Sequence, residues 1–387
     1  MNAEELTTRL KDDARRLGFA LAGACPAVTP TGVGQFGQWL DRGYGGQMDY
    51  LEERRSAYEH PRYVLDGARS ILMLAMEYAT TEPQMPRLGQ GRISRYAWSP
   101  VDYHDVIHER LNQLVAVVKE VVPAALARGV VDSAPLLERE FAQLAGLGWV
   151  GKNSLLLNKH RGSYFFLAAL LTDQELSYDQ PFNADHCGTC TACLDACPTK
   201  AFPQPYVLDA TRCISYLTIE LRDEIPRDLR SGIGDWLFGC DICQEVCPWN
   251  DKAAQMWSGV VIGQSSLGMK SRGPKSTPDP VTHPSAKSSA ENDSRPLFAP
   301  ALDANPLDLI PLFDLDDDAF RRRFRYTPLW RAKRRGILRN AAVILGNQKC
   351  REGIPTLTRG LSDTEPLVRE ACQWALNEID QQAAPSA

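Results

Sequence analysis

Eight of the eleven cysteines in this 387-residue chain fall between Cys187 and Cys247. Cys187, Cys190, Cys193 and Cys197, followed by Pro198, spell C-x2-C-x2-C-x3-C-P. In that spacing three thiolates hold one [4Fe-4S] cluster and the fourth reaches across to a second. Cys240, Cys243, Cys247 and Pro248 repeat the run without its first cysteine, and Cys213 lies upstream at a distance that could supply it. The crossed pattern assigns Cys187, Cys190, Cys193 and Cys247 to cluster one. Cluster two takes Cys197, Cys213, Cys240 and Cys243. Two zinc sites or a disulfide module are the alternatives, but zinc knuckles rarely combine a C-x2-C-x2-C triplet with a Cys-Pro. Such a pair of clusters passes single electrons, so this module is a wire and something else must use the electrons. Cys25, Cys350 and Cys372 stand alone and read as small buried hydrophobes.

The elements around the wire exceed one domain, since domains run to about 150 residues. With 44% hydrophobic and 24% charged residues the chain is globular. No apolar run approaches the roughly 20 residues of a membrane span, and the first helix-like stretch alternates charge with Leu, unlike a signal peptide. A cytoplasmic protein is expected, a setting that favours metal over disulfides. Leu6, Leu10, Ala14 and Leu17 keep helical spacing, with Gly18 in the capping position. The runs 70–78 (SILMLAMEY) and 164–172 (YFFLAALLT) read as strands covered on both faces. Ile107, Leu111, Leu114, Val118 and Val121 make an amphipathic helix, and Val130-Val131 leads toward another that Ser133 could cap. From 263 to 296, 16 of 34 residues are Ser, Pro or Gly, which predicts a flexible segment.

Three further groups of residues carry possible chemistry. Asp132 follows two valines, at a strand end where open α/β sheets collect ligands; complementing a helix dipole is the plainer alternative. His104 and His108 share a helix face but lack a third metal ligand and read as structural. Nine Lys or Arg residues and no acid lie between Arg321 and Arg339, with Phe324, Tyr326 and Trp330 interleaved. Arg321, Arg322, Arg323, Arg325, Arg331, Lys333, Arg334 and Arg335 are the candidates for binding nucleic-acid phosphates. The aromatics could stack on splayed bases. The net charge of −5 hides this segregation.

The segment 131–157 (VDSAPLLEREFAQLAGLGWVGKNSLLL) resembles the epoxyqueuosine reductases. So do 93–97 (ISRYA), Asp102-Tyr103-His104, the cysteine run, 206–220 (YVLDATRCISYLTIE), 238–250 (FGCDICQEVCPWN) and 320–325 (FRRRFR), in the same order. After Ala97 the chain departs from that pattern with Trp-Ser-Pro-Val. The starts of 338–347 (LRNAAVILGN) and 368–378 (VREACQWALNE) look like HEAT-type helical repeats.

The resemblance implies a multidomain protein of α/β and α+β parts. A cobalamin-binding α/β domain is expected at 1–180, a ferredoxin-like two-cluster domain at 181–257, a linker at 258–299 and HEAT-like, tRNA-binding helical repeats at 300–387. It implies two cofactors, [4Fe-4S] clusters and cobalamin, and two-electron reduction of the epoxide in tRNA-borne epoxyqueuosine to an alkene. Asp132 takes the place of that family's proton donor, a role requiring a raised pKa that an apolar corrin face would provide. Arg139, Lys152, Asn153 and Ser154 of the matched block, with Ser215, are the candidates for touching cobalamin. An external one-electron donor such as a flavodoxin or ferredoxin, no membrane and a monomeric chain complete the expectation. Reductive dehalogenases share the cofactor set but usually begin with an export signal, and a basic tail has no use for a halide. A pure electron carrier would leave the first 180 residues without a purpose.

Overall fold

The computed structural model describes residues 1–78, 81–251, 298–301 and 303–380. Helix α1 (Ala3–Arg16) begins at a capping box between Asn2 and Glu5, and the chain leaves it through Gly18 at φ +88°. The two apolar runs form β2 (Ser70–Glu77) and β5 (Phe165–Thr172), the central strands of a four-stranded sheet. Its edges are β1 (Leu21–Pro26), beside β2, and β4 (Ala127–Val130), beside β5. Helices α1 and α2 (Tyr103–Val121) cover one face, and α3 (Glu138–Leu144) packs on the other through Phe141 and Ala142. Burial on both faces is why the central strands are apolar at every position between their ends.

All three strand pairings are antiparallel. The expected open α/β sheet is therefore corrected to an α+β layer, and Asp132 follows an edge strand. Ser133 caps nothing: α3 starts only at Glu138, because Pro135 pushes Ala134 out of helical conformation and delays the turn.

Gly129 fixes how α2 lies on β4, since a Cβ there would come within 2.5 Å of the Leu111 Cβ. From that contact, three strand residues at about 3.3 Å each reach Asp132. Seven helical residues at about 1.5 Å each run back to His104, the same length of about 10 Å. Packing registered at a glycine thus brings the two side chains opposite each other.

The expected domain boundaries do not separate independent units. Strand β3 (Gln90–Ile93) pairs in parallel with β6 (Trp236–Phe238) and antiparallel with β7 (Leu307–Asp308), so one small sheet joins all three parts. Asp241 accepts hydrogen bonds from the Ser94 hydroxyl at 2.5 Å and the Arg95 N–H at 2.7 Å. The 263–296 stretch lies outside the described residues. Phe298, within the expected linker, is buried 5.3 Å from the Phe166 ring. Trp98, where the chain departs from the family pattern, is buried and donates to the Ile93 carbonyl at 2.7 Å.

The C-terminal part contains α5 (Asp317–Phe324), α6 (Lys333–Asn347), α7 (Ile354–Gly360) and α8 (Pro366–Asp380). Helices α6 and α8 hold the two similar segments and touch closely at Gly346, whose Cβ would meet Trp374 at 2.8 Å. Helix α6 is buried from Gly336 to Gly346, because it lies between α8 and the cysteine module. Asn340 donates to the Thr218 and Leu237 carbonyls at 2.8 and 2.9 Å. Arg339 donates to those of Leu217, Leu221 and Asp223.

Candidate active site and cysteine cavities

Asp132 sits just past β4 at φ +56°, left-handed backbone that aspartate visits more readily than most residues with a side chain. Its Oδ2 accepts the Tyr103 hydroxyl at 2.9 Å and lies 3.4 Å from His104 Nε2. His104 Nδ1 in turn meets Asp102 Oδ1 at 2.8 Å. The Asp132 N–H donates to Glu138 Oε1 at 2.9 Å, and Arg54 donates to the Ser133 carbonyl at 3.0 Å. Tyr103 stacks on Phe166 with centroids 4.1 Å apart, which locks the hydroxyl in place.

The charges follow from these contacts. Burial works against a charged His104 ring, but hydrogen bonds to Asp102 and Asp132 outweigh it and push its pKa up to about 9. The same His104 contact, with help from Tyr103 and Arg331 against burial, holds Asp132 below the ordinary carboxylate range. Near neutral pH the proton of the pair rests on His104. Glu138 is pushed up to about 8, by burial first and then by the Asp132 charge.

The Asp132 side chain is 64% exposed, yet the charges and phenols of Tyr50, Tyr58, Tyr96 and Arg331, from three further segments, interact with it. An accessible carboxylate surrounded in this way can be reached by a ligand while its charge is held in place. His104, read from sequence as structural beside His108, belongs to this site. Its signal was present in Asp102-Tyr103-His104; the i,i+4 pairing with His108 pointed the wrong way. Glu138 had no sequence signal, because its contact depends on the turn that Pro135 imposes.

The cysteines form two neighbouring groups. Cys187, Cys190, Cys193 and Cys247 line one cavity of about 200 Å³, together with Lys152, His186 and Trp249. Beside it Trp149 stacks on Phe182 and meets His186 and Trp249 edge to face. In the second group Cys213 interacts with Cys197, and Cys240 and Cys243 with Cys213. Burial, and then repulsion between neighbouring thiols, pushes the Cys193 and Cys243 thiols up, a shift that coordinated iron would invert. Among the described residues no three Cys, His, Asp or Glu side chains converge on one ion. The cavity bounded by Cys187, Cys190, Cys193 and Cys247 has room for a multi-iron cluster. Cys25, Cys350 and Cys372 are buried, as expected.

The five cobalamin candidates separate. The Lys152 ammonium is taken up by the Gly188 and Cys190 carbonyls at 2.6 and 2.9 Å, and Asn153 donates to the Cys243 carbonyl at 3.3 Å. Both serve the cysteine loops. Arg139 is exposed and donates to the carbonyl of Ser154, itself at φ +62°. Ser215 lies two residues after Cys213, on helix α4 (Ile214–Ile219).

The basic block is smaller than its count. Arg339 is buried, Arg334 pairs with Asp363 at 2.6 Å, Arg331 with Glu220 at 3.1 Å and Arg323 with Asp303 at 2.5 Å. Arg321, Arg322, Arg325, Lys333 and Arg335 are exposed. Lys333 lies 3.9 Å over the Trp330 ring. Of the interleaved aromatics, Phe324 is buried and Tyr326 is 61% exposed. No helix among the described residues is long and apolar enough to cross a membrane.

Residues 186–250 match the 4Fe-4S double cluster binding domain, and residues 59–133 match the family described as Epoxyqueuosine reductase QueG, DUF1730. The epoxyqueuosine reductase of Pseudomonas aeruginosa is 37% identical over 385 residues, 96% of this chain and 94% of its own length. That of Escherichia coli is 34% identical, over 97% of this chain and 90% of its own. A crystal structure of epoxyqueuosine reductase with an epoxyqueuosine-modified tRNA-Tyr stem loop superposes with a TM-score of 0.82 at 28% identity. It covers 98% of this chain and 91% of that one. The Bacillus subtilis enzyme, with the loop of its catalytic aspartate swung out of the active site, superposes at 0.80, with 28% identity and the same coverage. With such identity along almost its whole length, the chain belongs to the epoxyqueuosine reductase family of oxidoreductases.

Proposed function

We propose that this protein reduces epoxyqueuosine in tRNA to queuosine, the last step of queuosine biosynthesis, with electrons relayed through two [4Fe-4S] clusters to cobalamin. The observation that carries this reading is Asp132, an accessible carboxylate held between Tyr103 and His104 in a chain of this family. The epoxide takes up two electrons and two protons. Both of its C–O bonds break, the ring carbons become an alkene, and the oxygen leaves as water.

Cobalamin, when bound, supplies the electrons at the epoxide. Arg139, Ser154 and Ser215 are the residues that would hold it. The remaining steps belong to this chain's side chains. Ring opening places negative charge on oxygen, and Asp132 is the acid that protonates it, a role typically worth about 10² to 10⁴ in rate. The His104–Asp132 pair stores the proton as an imidazolium beside a carboxylate. A bound substrate that excludes water from around Asp132 penalises that ion pair and favours moving the proton to Asp132. The second proton is drawn from solvent through the exposed edge of His104.

A relative was crystallised with a tRNA stem loop. The exposed Arg321, Arg322, Arg323, Arg325, Lys333 and Arg335 support phosphate binding here, beside the α6–α8 pair read as HEAT-like. A one-electron donor such as a flavodoxin or ferredoxin, a cytoplasmic location and a monomeric state complete the proposal. Digested tRNA from cells lacking this protein should contain epoxyqueuosine in place of queuosine. The wild-type gene should restore queuosine and Asp132→Asn should not; unchanged queuosine in the deletion strain refutes the substrate.

A further inference from the structure

Lys152 comes from the hairpin of Trp149–Val150 and Leu156–Leu157, outside the cysteine segment, yet it lines the cavity shared by Cys187, Cys190, Cys193 and Cys247. Its ammonium donates to the Gly188 and Cys190 carbonyls, inside the loop that carries the first two cysteines. Neither acceptor carries a charge that would cancel the cation. Asp185 is the opposing charge within electrostatic reach, and its oxygens accept the Cys187 N–H at 2.8 Å and the Tyr206 hydroxyl. A permanent cation has therefore been set against one cysteine group. Its neighbour Asn153 reaches the other group with a neutral amide.

Reducing a [4Fe-4S] cluster by one electron adds one negative charge. A fixed cation stabilises the reduced form and raises its potential, and a fixed anion does the reverse. Cys190 is exposed, so solvent screens part of the effect. We propose that Lys152 is a positioning residue that raises the reduction potential of the cluster held by Cys187, Cys190, Cys193 and Cys247, making it a better acceptor of incoming electrons. This rests on the ligand assignment above and adds a cause for a difference between the two clusters.

The test is an anaerobic redox titration of the full-length protein carrying both clusters, followed by electron paramagnetic resonance without tRNA. Lys152→Gln keeps a polar side chain but loses the charge, and Lys152→Arg keeps the charge. With Lys152→Gln the reduced-to-oxidised ratio of this cluster at fixed poise should fall about tenfold, equivalent to 59 mV for one electron. Lys152→Arg should stay close to wild type, Asp185→Asn should shift the ratio the other way, and the second cluster should not move. An unchanged potential in Lys152→Gln at full iron content overturns the proposal. So does loss of iron from Lys152→Gln with no opposite shift in Asp185→Asn, which would make Lys152 a clamp. Failure of the ligand assignment is a separate result, visible as low iron in the wild-type protein.

Discussion

Glu138 Oε1 accepts the backbone N–H of Asp132 at 2.9 Å, so one carboxyl group holds the main chain of another residue in left-handed conformation. Such backbone costs on the order of 1–3 kcal/mol and persists only where neighbours enforce it. Glu138→Ala should therefore slow turnover about tenfold, whereas Glu138→Gln, which still offers an oxygen, should retain most of it. Single-turnover assays on a modified stem loop measure both. Equal activity in the Ala and Gln variants would sink the anchoring role.

The His104 pKa moves from 6.5 up to about 9, because its two carboxylate partners outweigh burial. A raised pKa means that the folded state keeps a proton the unfolded chain releases. The resulting stability is full below about 6.5 and fades as pH rises through about 9. Turnover should decline over the same alkaline range, since the stored proton is lost. His104→Gln should remove that limb from the pH–rate profile and lower the plateau. An alkaline limb that survives in the variant assigns it to another group.

Cys213→Ser should remove one cluster and leave the other, bringing iron from about eight to about four atoms per chain. Cys240→Ser added to it should remove no more, because both belong to the same group. Adding Cys187→Ser instead should empty the protein. Elemental analysis of anaerobically prepared protein decides, and zinc in place of iron would refute the cluster reading.

Replacing Arg322 or Arg325 singly by Ala should lower the salt slope of tRNA binding by about 0.7 to 0.9, with similar losses for different tRNAs. Arg339→Ala should behave differently. It strands the buried carbonyl of Leu217 and removes the partner of the less buried Leu221 and Asp223 carbonyls, at a cost on the order of 1–3 kcal/mol in folding stability. Filter binding across a salt series and chemical denaturation separate the two effects. A wild-type melting curve for Arg339→Ala would contradict the structural role.

What could be read from sequence was whatever announces itself locally. The cysteine spacing, the two apolar strands and the position of Asp132 after a strand needed no distant partner. His104 was misassigned because its carboxylates lie two residues back and 28 residues on, not one helical turn away. The sheet joining all three parts escaped notice because β3 has four residues and β7 two, too short for any periodicity. Arg339 counted as surface charge because α6 is covered by segments far away in sequence.

That covering has a consequence in time. A ribosome delivers the cysteines well before α6, but the carbonyls of Leu217, Thr218 and Leu237 wait for Arg339 and Asn340 to satisfy them. The pocket walls around the second cysteine group therefore cannot settle during most of synthesis, and contacts this distant in sequence form slowly. A chain cut short before α6 would leave its thiols exposed on an unfinished scaffold and at risk of oxidation.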